Sequence, residues 1–216
     1  MLMAILFSVC LIASNLFATK VFAIGSITLP GAVIIFPISY ILNDCFAEVW
    51  GYRKARLVIW TAFAMNFFVA LVGQIVAWLP AASLWDGGEH FNYVFSMAPR
   101  VAFASLLAFL AGSTMNAFVM SKMKIASKGK GFSVRAILSS IAGEGLDSLI
   151  FMPIVFWGAD INSLAAKMLA QVSFKVCYEI VILPVTVQVV KALKRYEGID
   201  TFDENISYNP FKIADI

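Results

Sequence analysis

The sequence predicts an all-α, polytopic membrane protein with six transmembrane helices. Three observations carry that prediction. The 216 residues are 61% hydrophobic and only 13% charged, with a mean hydropathy of +0.87; a soluble domain carries about 25% charged residues. Apolar runs of about 20 residues, enough to cross a bilayer, recur six times. Basic residues cluster in alternate connections, as the positive-inside rule requires.

The first run covers about 3–24 and holds Asn15 near its middle. It is apolar from Met1 and has no basic leader region, so it reads as a span rather than a cleaved signal. The second, about 28–49, opens on Pro30, Gly31 and Pro37 and carries Asp44 and Glu48 one helical turn apart, on one face. Arg53, Lys54 and Arg56 follow it. The third, about 57–80, holds Asn66. Pro80–Pro99 is the longest external connection. Its Asp86, Gly87 and Gly88 favour turns, and Trp85, Phe91, Tyr93 and Phe95 suit either a membrane interface or a lid.

The fourth run, about 98–121, holds Asn116 and leads to Lys122, Lys124, Lys128, Lys130 and Arg135. The fifth, about 136–158, carries Glu144 and Asp147 on one face, with Gly143 and Gly145 beside them and Pro153 beyond. In the sixth, about 164–193, Gln171, Lys175 and Glu179 recur once per turn as a single polar stripe. Pro184 interrupts it, and Lys191, Lys194 and Arg195 end it. This reading gives one transmembrane domain, 1–196, and a weakly ordered polar tail, 197–216. The basic clusters place both termini in the cytoplasm. The spans divide as three plus three, with a proline and two carboxylates in both the second and the fifth, a pattern compatible with an inverted repeat.

Several classes are excluded. No basic face stands apart from the membrane-flanking loops, so nucleic acid is not a partner. Cys10, Cys45 and Cys177 lie in apolar runs without metal or disulfide spacing and read as small buried hydrophobes. His90 stands alone in a loop, so no metal site or cofactor is called for. Phosphate-loop, HExxH and GxSxG motifs are missing, which argues against an enzyme.

An ionisable group at mid-bilayer costs about 2.5–3.5 kcal/mol on insertion scales, so such groups usually mark a ligand or ion path. Every span contributes a polar residue at middle or inner depth. The candidate substrate-binding set is therefore Asn15, Asp44, Glu48, Asn66, Asn116, Glu144, Asp147, Gln171, Lys175 and Glu179, converging on an interior cavity. Blander readings stand beside it. The asparagines can be interhelical hydrogen bonds worth about 1 kcal/mol each. Lys175 and Glu179 can neutralise each other along one helix, and Asp44 and Glu48 can pair with Arg53, Lys54 or Arg56. Ala108 and Gly112 form a small-xxx-small pair of the kind that joins copies into a homo-oligomer.

The run Phe36–Tyr52, with Asn43-Asp44-Cys45-Phe46-Ala47-Glu48 at its centre, resembles the signature of the queuosine precursor transporter family, also described as vitamin-uptake-like. Asn15–Lys20, Gly143-Glu144-Gly145-Leu146-Asp147-Ser148 and Tyr208-Asn209-Pro210-Phe211 extend the resemblance over nearly the whole chain. Ala47, Trp50 and Glu144 stand where many relatives carry threonine, tyrosine and glutamine. The resemblance implies import of 7-deazaguanine bases, preQ0, preQ1 or queuine, across a bacterial inner or plasma membrane for tRNA modification. A binding subunit of an energy-coupling-factor vitamin transporter has similar size and also lacks an ATPase motif. An intramembrane enzyme and an assembly scaffold are the remaining readings.

Overall fold

The computed structural model describes residues 1–24, 27–95, 99–155, 157–158 and 160–212. Seven helices dominate it. They are α1 (Leu2–Phe17), α2 (Phe36–Val49), α3 (Gly51–Trp78), α4 (Gly88–Phe95), α5 (Pro99–Ala126), α6 (Phe132–Val155) and α7 (Ile161–Glu197). Four of these, α3, α5, α6 and α7, are long and apolar enough to cross a membrane. They match the third to sixth expected spans.

The first two spans depart from expectation. Residues Val21–Ile24 (β1) and Ile27–Pro30 (β2) form an antiparallel pair with Val21 opposite Pro30 and Ile24 opposite Ile27. The fold is therefore not purely helical. The β-branched, apolar character that extended the helical runs on paper suits strands equally well. As a result α1 is 16 residues long and α2 only 14, about 21 Å for the latter, shorter than a bilayer core.

What α2 lacks in length it makes up in burial. It packs against α1, α3, α5, α6 and α7. Nearly every residue from Ser39 to Val49 is buried, polar ones included. A helix enclosed on all sides cannot also be an apolar lipid-facing span, so its polar residues face protein. Phe46 and Leu42 join Phe7, Leu11, Ile59, Phe109 and Met120 in the main apolar core. The outer faces of α3 and α7 expose Phe67, Phe68, Leu71 and Val181, the surface expected of lipid contact. Cys10 and Cys45 are buried, but Cys177 is exposed on this outer side rather than buried.

α5 and α6 lie against one another along most of their length. Gly112 and Gly143 permit this: a Cβ on Gly143 would meet the Gly112 carbonyl oxygen and the Asn116 Cβ, both at 2.8 Å. The small-residue signal at Ala108 and Gly112 is thus spent inside the chain, where both residues are buried.

The C-terminus of α2, the N-termini of α3 and α6 and the C-termini of α5 and α7 gather at one end of the bundle. Met3 of α1 joins them, packing on Cys45, Val49 and Val190. This is the basic end of the molecule. Gly51 makes the α2–α3 joint with φ +84°, a conformation that favours glycine.

The tail after α7 is not a loose extension. Asp203 accepts hydrogen bonds from the Tyr52 backbone N–H (2.8 Å) and the Ser121 hydroxyl, capping the positive end of α3 from a distance. Arg56 donates to the Asn209 carbonyl at 2.7 Å, and the Trp60 indole donates to the Pro210 carbonyl at 2.7 Å. Arg56, expected near Asp44 and Glu48, instead holds the tail.

Candidate functional site

Tyr40, Asp44 and Glu48 recur once per turn on α2, about 6 Å apart along its axis. Each belongs to a polar tier completed by residues of α6 and α7, joined in the two lower tiers by residues of α5.

The basal tier lies at the basic end. Glu48 is 1% exposed. The Arg135 guanidinium grips both its oxygens, with Nη2 at 3.1 Å from Oε1 and Nη1 on Oε2. Lys194 donates to Oε1 at 2.7 Å. Lys124 donates to the Glu48 carbonyl oxygen and to Asp200, both at 2.5 Å. Arg135 spends its remaining donors on the carbonyls of Lys130 (3.1 Å) and Gly129 (3.2 Å). Glu48 thus pairs with basic residues, but not with Arg53, Lys54 or Arg56. Lys124 and Arg135, which read as loop charges, are buried. The partners come from the far half of the chain, a relation that local spacing cannot reveal.

The middle tier contains Asp44, Asn43, Asn116, Ser139, Ser140 and Glu179. The Asn43 amide donates to the Asn116 side-chain oxygen at 2.7 Å and to the Ser113 carbonyl at 2.8 Å. Asn116 in turn donates to Asp44 Oδ1 at 2.9 Å, and the Ser139 hydroxyl reaches the same oxygen at 3.3 Å. The Glu179 carboxyl lies in hydrogen-bonding reach of Asp44 and Ser140.

The upper tier is built on Lys175. Its ammonium is 2.5 Å from Glu144 Oε2 and 3.5 Å from Asp147 Oδ2. It also lies 4.4 Å from the centre of the Phe36 ring, which sits 5.6 Å from the Tyr40 ring. Lys175 therefore pairs across to α6, not along its own helix to Glu179. The Tyr40 hydroxyl faces α5 and α6 beside Gly112 and Asp147, and the carboxyls of Glu144, Asp147, Asp44 and Glu179 act on it electrostatically. Gln171 is half-buried one turn from Lys175.

Asn15 and Asn66 stand apart from all three tiers. The Asn15 amide donates to Asn66 Oδ1 at 2.8 Å, and Asn15 Oδ1 accepts from Ser105 at 3.2 Å. They tie α1, α3 and α5 together.

Hydrogen-bond satisfaction separates the tiers. Buried polar groups are normally paired. The buried side-chain atoms without a partner include Ser39 Oγ, Tyr40 OH, Asn43 Oδ1, Asp44 Oδ2 and Ser148 Oγ. These five belong to α2 or α6, at or above the middle tier; Arg56 Nε and Nη2, on α3 beside the tail and outside the three tiers, also lack partners among the described residues. Tyr40, Asn43, Ser139, Ser140 and Ser148 were not among the expected site residues. A neutral hydroxyl or amide gives no energetic signal in an apolar run as strong as a charge does.

Burial of paired carboxylates and a lysine inside a bundle with lipid-type outer faces defines a class: a multi-pass membrane protein with a sequestered ionic core, as carriers have. The family profile described as "Putative vitamin uptake transporter" matches residues 30–189. The chain belongs to that family of transporters. A protein of Bacillus subtilis named "Probable queuosine precursor transporter" is 25% identical over 148 residues, 68% of this chain and 65% of that protein. The "Queuosine precursor transporter" of Escherichia coli K12 is 24% identical over 150 residues, 68% of this chain and 64% of its own length. A Haemophilus influenzae protein named "Probable queuosine precursor transporter" is 24% identical over 124 residues, covering 57% of this chain and 50% of that protein. The chain thus spans between half and just under two-thirds of these relatives. No solved structure matches it.

Proposed function

We propose that this chain imports a queuosine precursor, a 7-deazaguanine base such as preQ0 or preQ1, and seats the base at the upper tier. The names of the relatives support the cargo, and the site chemistry supports the seat. A deazaguanine presents an N1–H and an exocyclic amine side by side, which one carboxylate accepts together. Glu144 and Asp147 offer that edge. Lys175 supplies the donor for the ring carbonyl. Phe36 supplies a flat apolar face on which a heterocycle stacks.

One observation carries the reading. The Ser148 hydroxyl, on the helix that bears Glu144 and Asp147, and the Tyr40 hydroxyl, on α2 facing that helix, are buried without partners. Unpaired buried polar groups cost about 1–3 kcal/mol each, and a bound polar ligand recovers that cost. Glu144 and Lys175 are 2% and 5% exposed, so the seat is closed in this conformation. Entry of the base displaces Lys175 from one of its carboxylates.

Six passes follow if α1 and α2 are the first two, with the β1–β2 hairpin finishing the turn at the outer end. The basic end then faces the cytoplasm with both termini, by the positive-inside rule. The three-plus-three division belongs to the same reading. Glu48, Asn15 and Asn66 hold helices together in it rather than touching the base.

Purified chain reconstituted in liposomes, without any ATPase, tests the reading. It takes up radiolabelled preQ0 or preQ1, and Glu144→Gln and Asp147→Asn reduce that uptake. Uptake only with an added ATPase partner points to the energy-coupling-factor class instead. Wild-type uptake by both variants removes the assigned seat.

A further inference from the structure

We infer that the Asp44–Glu179 pair is a proton site, so that the protein carries a proton together with the base. This rests on the transport reading above and adds a second, different cargo to it.

The pair joins α2 to α7 directly. Asp44 Oδ1 accepts from Asn116 at 2.9 Å, with the Ser139 hydroxyl, shared with the Ala136 carbonyl, at 3.3 Å. Asp44 Oδ2 has no donor among the described residues, yet it is buried. α2 packs directly on α7, and the group Asp44 Oδ2 can meet there is the buried Glu179 carboxyl. Two carboxylates in contact in a dry interior cannot both be ionised cheaply; a single proton between them turns repulsion into a hydrogen bond. Asp44 and Glu179 are 0% and 4% exposed, so water does not screen them.

The charges facing the pair offer no substitute for that proton. On α7, Lys175 is committed to Glu144 and Asp147. On α6, Glu144 adds negative charge toward Glu179. At the level below, Arg135 and Lys194 are held by Glu48. On α5, Asn116 contributes a neutral amide. The pair therefore sits between two cation-bearing tiers without a cation of its own.

Tyr40 supplies an independent observation. Its hydroxyl is unpartnered and the residue is 2% exposed. The carboxyls of Glu144, Asp147, Asp44 and Glu179 all act on it electrostatically. The hydroxyl and the Asp147 Cβ fall within 2.5 Å and 3.0 Å of one point, the site of an imagined Cβ on Gly112. A phenol both donates and accepts, so this free hydroxyl is available to bridge a bound base and the proton pair. Loss of the shared proton sets two charges of one sign between α2 and α7, which disfavours the closed bundle. A proton and a base that both favour closure are thermodynamically coupled.

The test uses purified protein in liposomes loaded with a pH-sensitive dye. With preQ0 outside, the wild type acidifies the lumen during uptake, and an imposed acid-outside gradient raises steady-state accumulation several-fold. Asp44→Asn and Glu179→Gln keep preQ0 exchange across pre-loaded liposomes within about twofold. Both lose the dye signal and the gradient-driven accumulation. Thermal unfolding of both variants confirms that they are folded. Base exchange by the wild type without lumen acidification, or gradient-driven accumulation retained by both folded variants, overturns the proton site alone. A wild type that exchanges no preQ0 overturns the transport reading and this inference with it.

Discussion

The basal tier and the upper tier are equally buried and equally ionic, and they differ in completeness. Around Glu48 both carboxylate oxygens, the Arg135 guanidinium and the Lys124 ammonium all have partners. Around Lys175 the ion pairs exist, but Tyr40 and Ser148 keep unpaired atoms. A fully paired ionic cluster is a structural joint, because a ligand would have to break more than it makes. A cluster with spare donors and acceptors is prepared for something that is not part of the chain. Depth, charge and helix alone do not separate the two; satisfaction does.

The largest effect is expected where the joint is complete. Arg135→Ala strips Glu48 of its bidentate partner, leaving Lys194 at 2.7 Å and Lys124 at 4.0 Å from Oε1, and Oε2 uncovered, and costs about 3–5 kcal/mol, read as a large loss of folded protein or a steep fall in Tm in detergent. Replacing both partners, Glu48→Met with Arg135→Met, costs less than the single change. If the single change is tolerated without a Tm shift, the basal tier is not a joint.

Next come the carboxylates of the upper tier. Glu144→Gln and Asp147→Asn each leave Lys175 one ionised partner, so folding survives. Base affinity falls about 10–100-fold, the worth of one charge-assisted hydrogen bond. Calorimetric titration with preQ0 measures it. Of similar or smaller size is the packing cost of Gly143→Ala, about 1–3 kcal/mol, because the new methyl meets a backbone carbonyl that cannot retreat. Chemical denaturation in mixed micelles reads that loss.

Tyr40→Phe sharpens the contrast further. Removing an unpartnered hydroxyl leaves stability unchanged or raises it by about 1 kcal/mol, while base affinity declines. A fall in Tm without a change in affinity would give Tyr40 to the fold instead. The smallest effect lies at the edge of the basal tier. Burial alone would push the Asp200 carboxyl up, but hydrogen bonds and charge from Lys124 and Lys194 hold it below the usual 3.8. Its contribution is therefore fully present above pH 3.8 and is lost as pH falls through the lowered value of the folded state. Asp200 is 46% exposed at its side chain, so the stability gap between wild type and Asp200→Asn stays below about 1 kcal/mol and closes in acid.

Much of this arrangement was legible in the sequence. The runs that became α3, α5, α6 and α7 are long enough that length alone identifies them. The first two runs misled because hydropathy does not tell a strand from a helix. A Gly-Ser dipeptide between two short β-branched apolar runs is the sequence cue for strands that a hydropathy window averages away. The carboxylates and Lys175 announced themselves by their cost in an apolar run. Their partners did not, since Glu48 meets Arg135 and Lys194 across 87 and 146 positions of chain. Lys124 and Arg135 looked like loop charges because both lie within a turn of a helix end. The tail looked unstructured because its anchors are backbone carbonyls, which composition does not record, and the Asp203 carboxylate, whose partners Tyr52 and Ser121 lie far away in the chain.

The difference between the tiers is tested most directly by calorimetric titration of preQ0 into wild type, Asp147→Asn, Glu144→Gln and Lys194→Gln, each checked for folding by Tm. The upper-tier variants are expected to lose affinity at least tenfold, about 1.4 kcal/mol, while Lys194→Gln binds as the wild type does. Equal affinity in all four proteins, or a loss confined to Lys194→Gln, would contradict the assignment of the base to the upper tier.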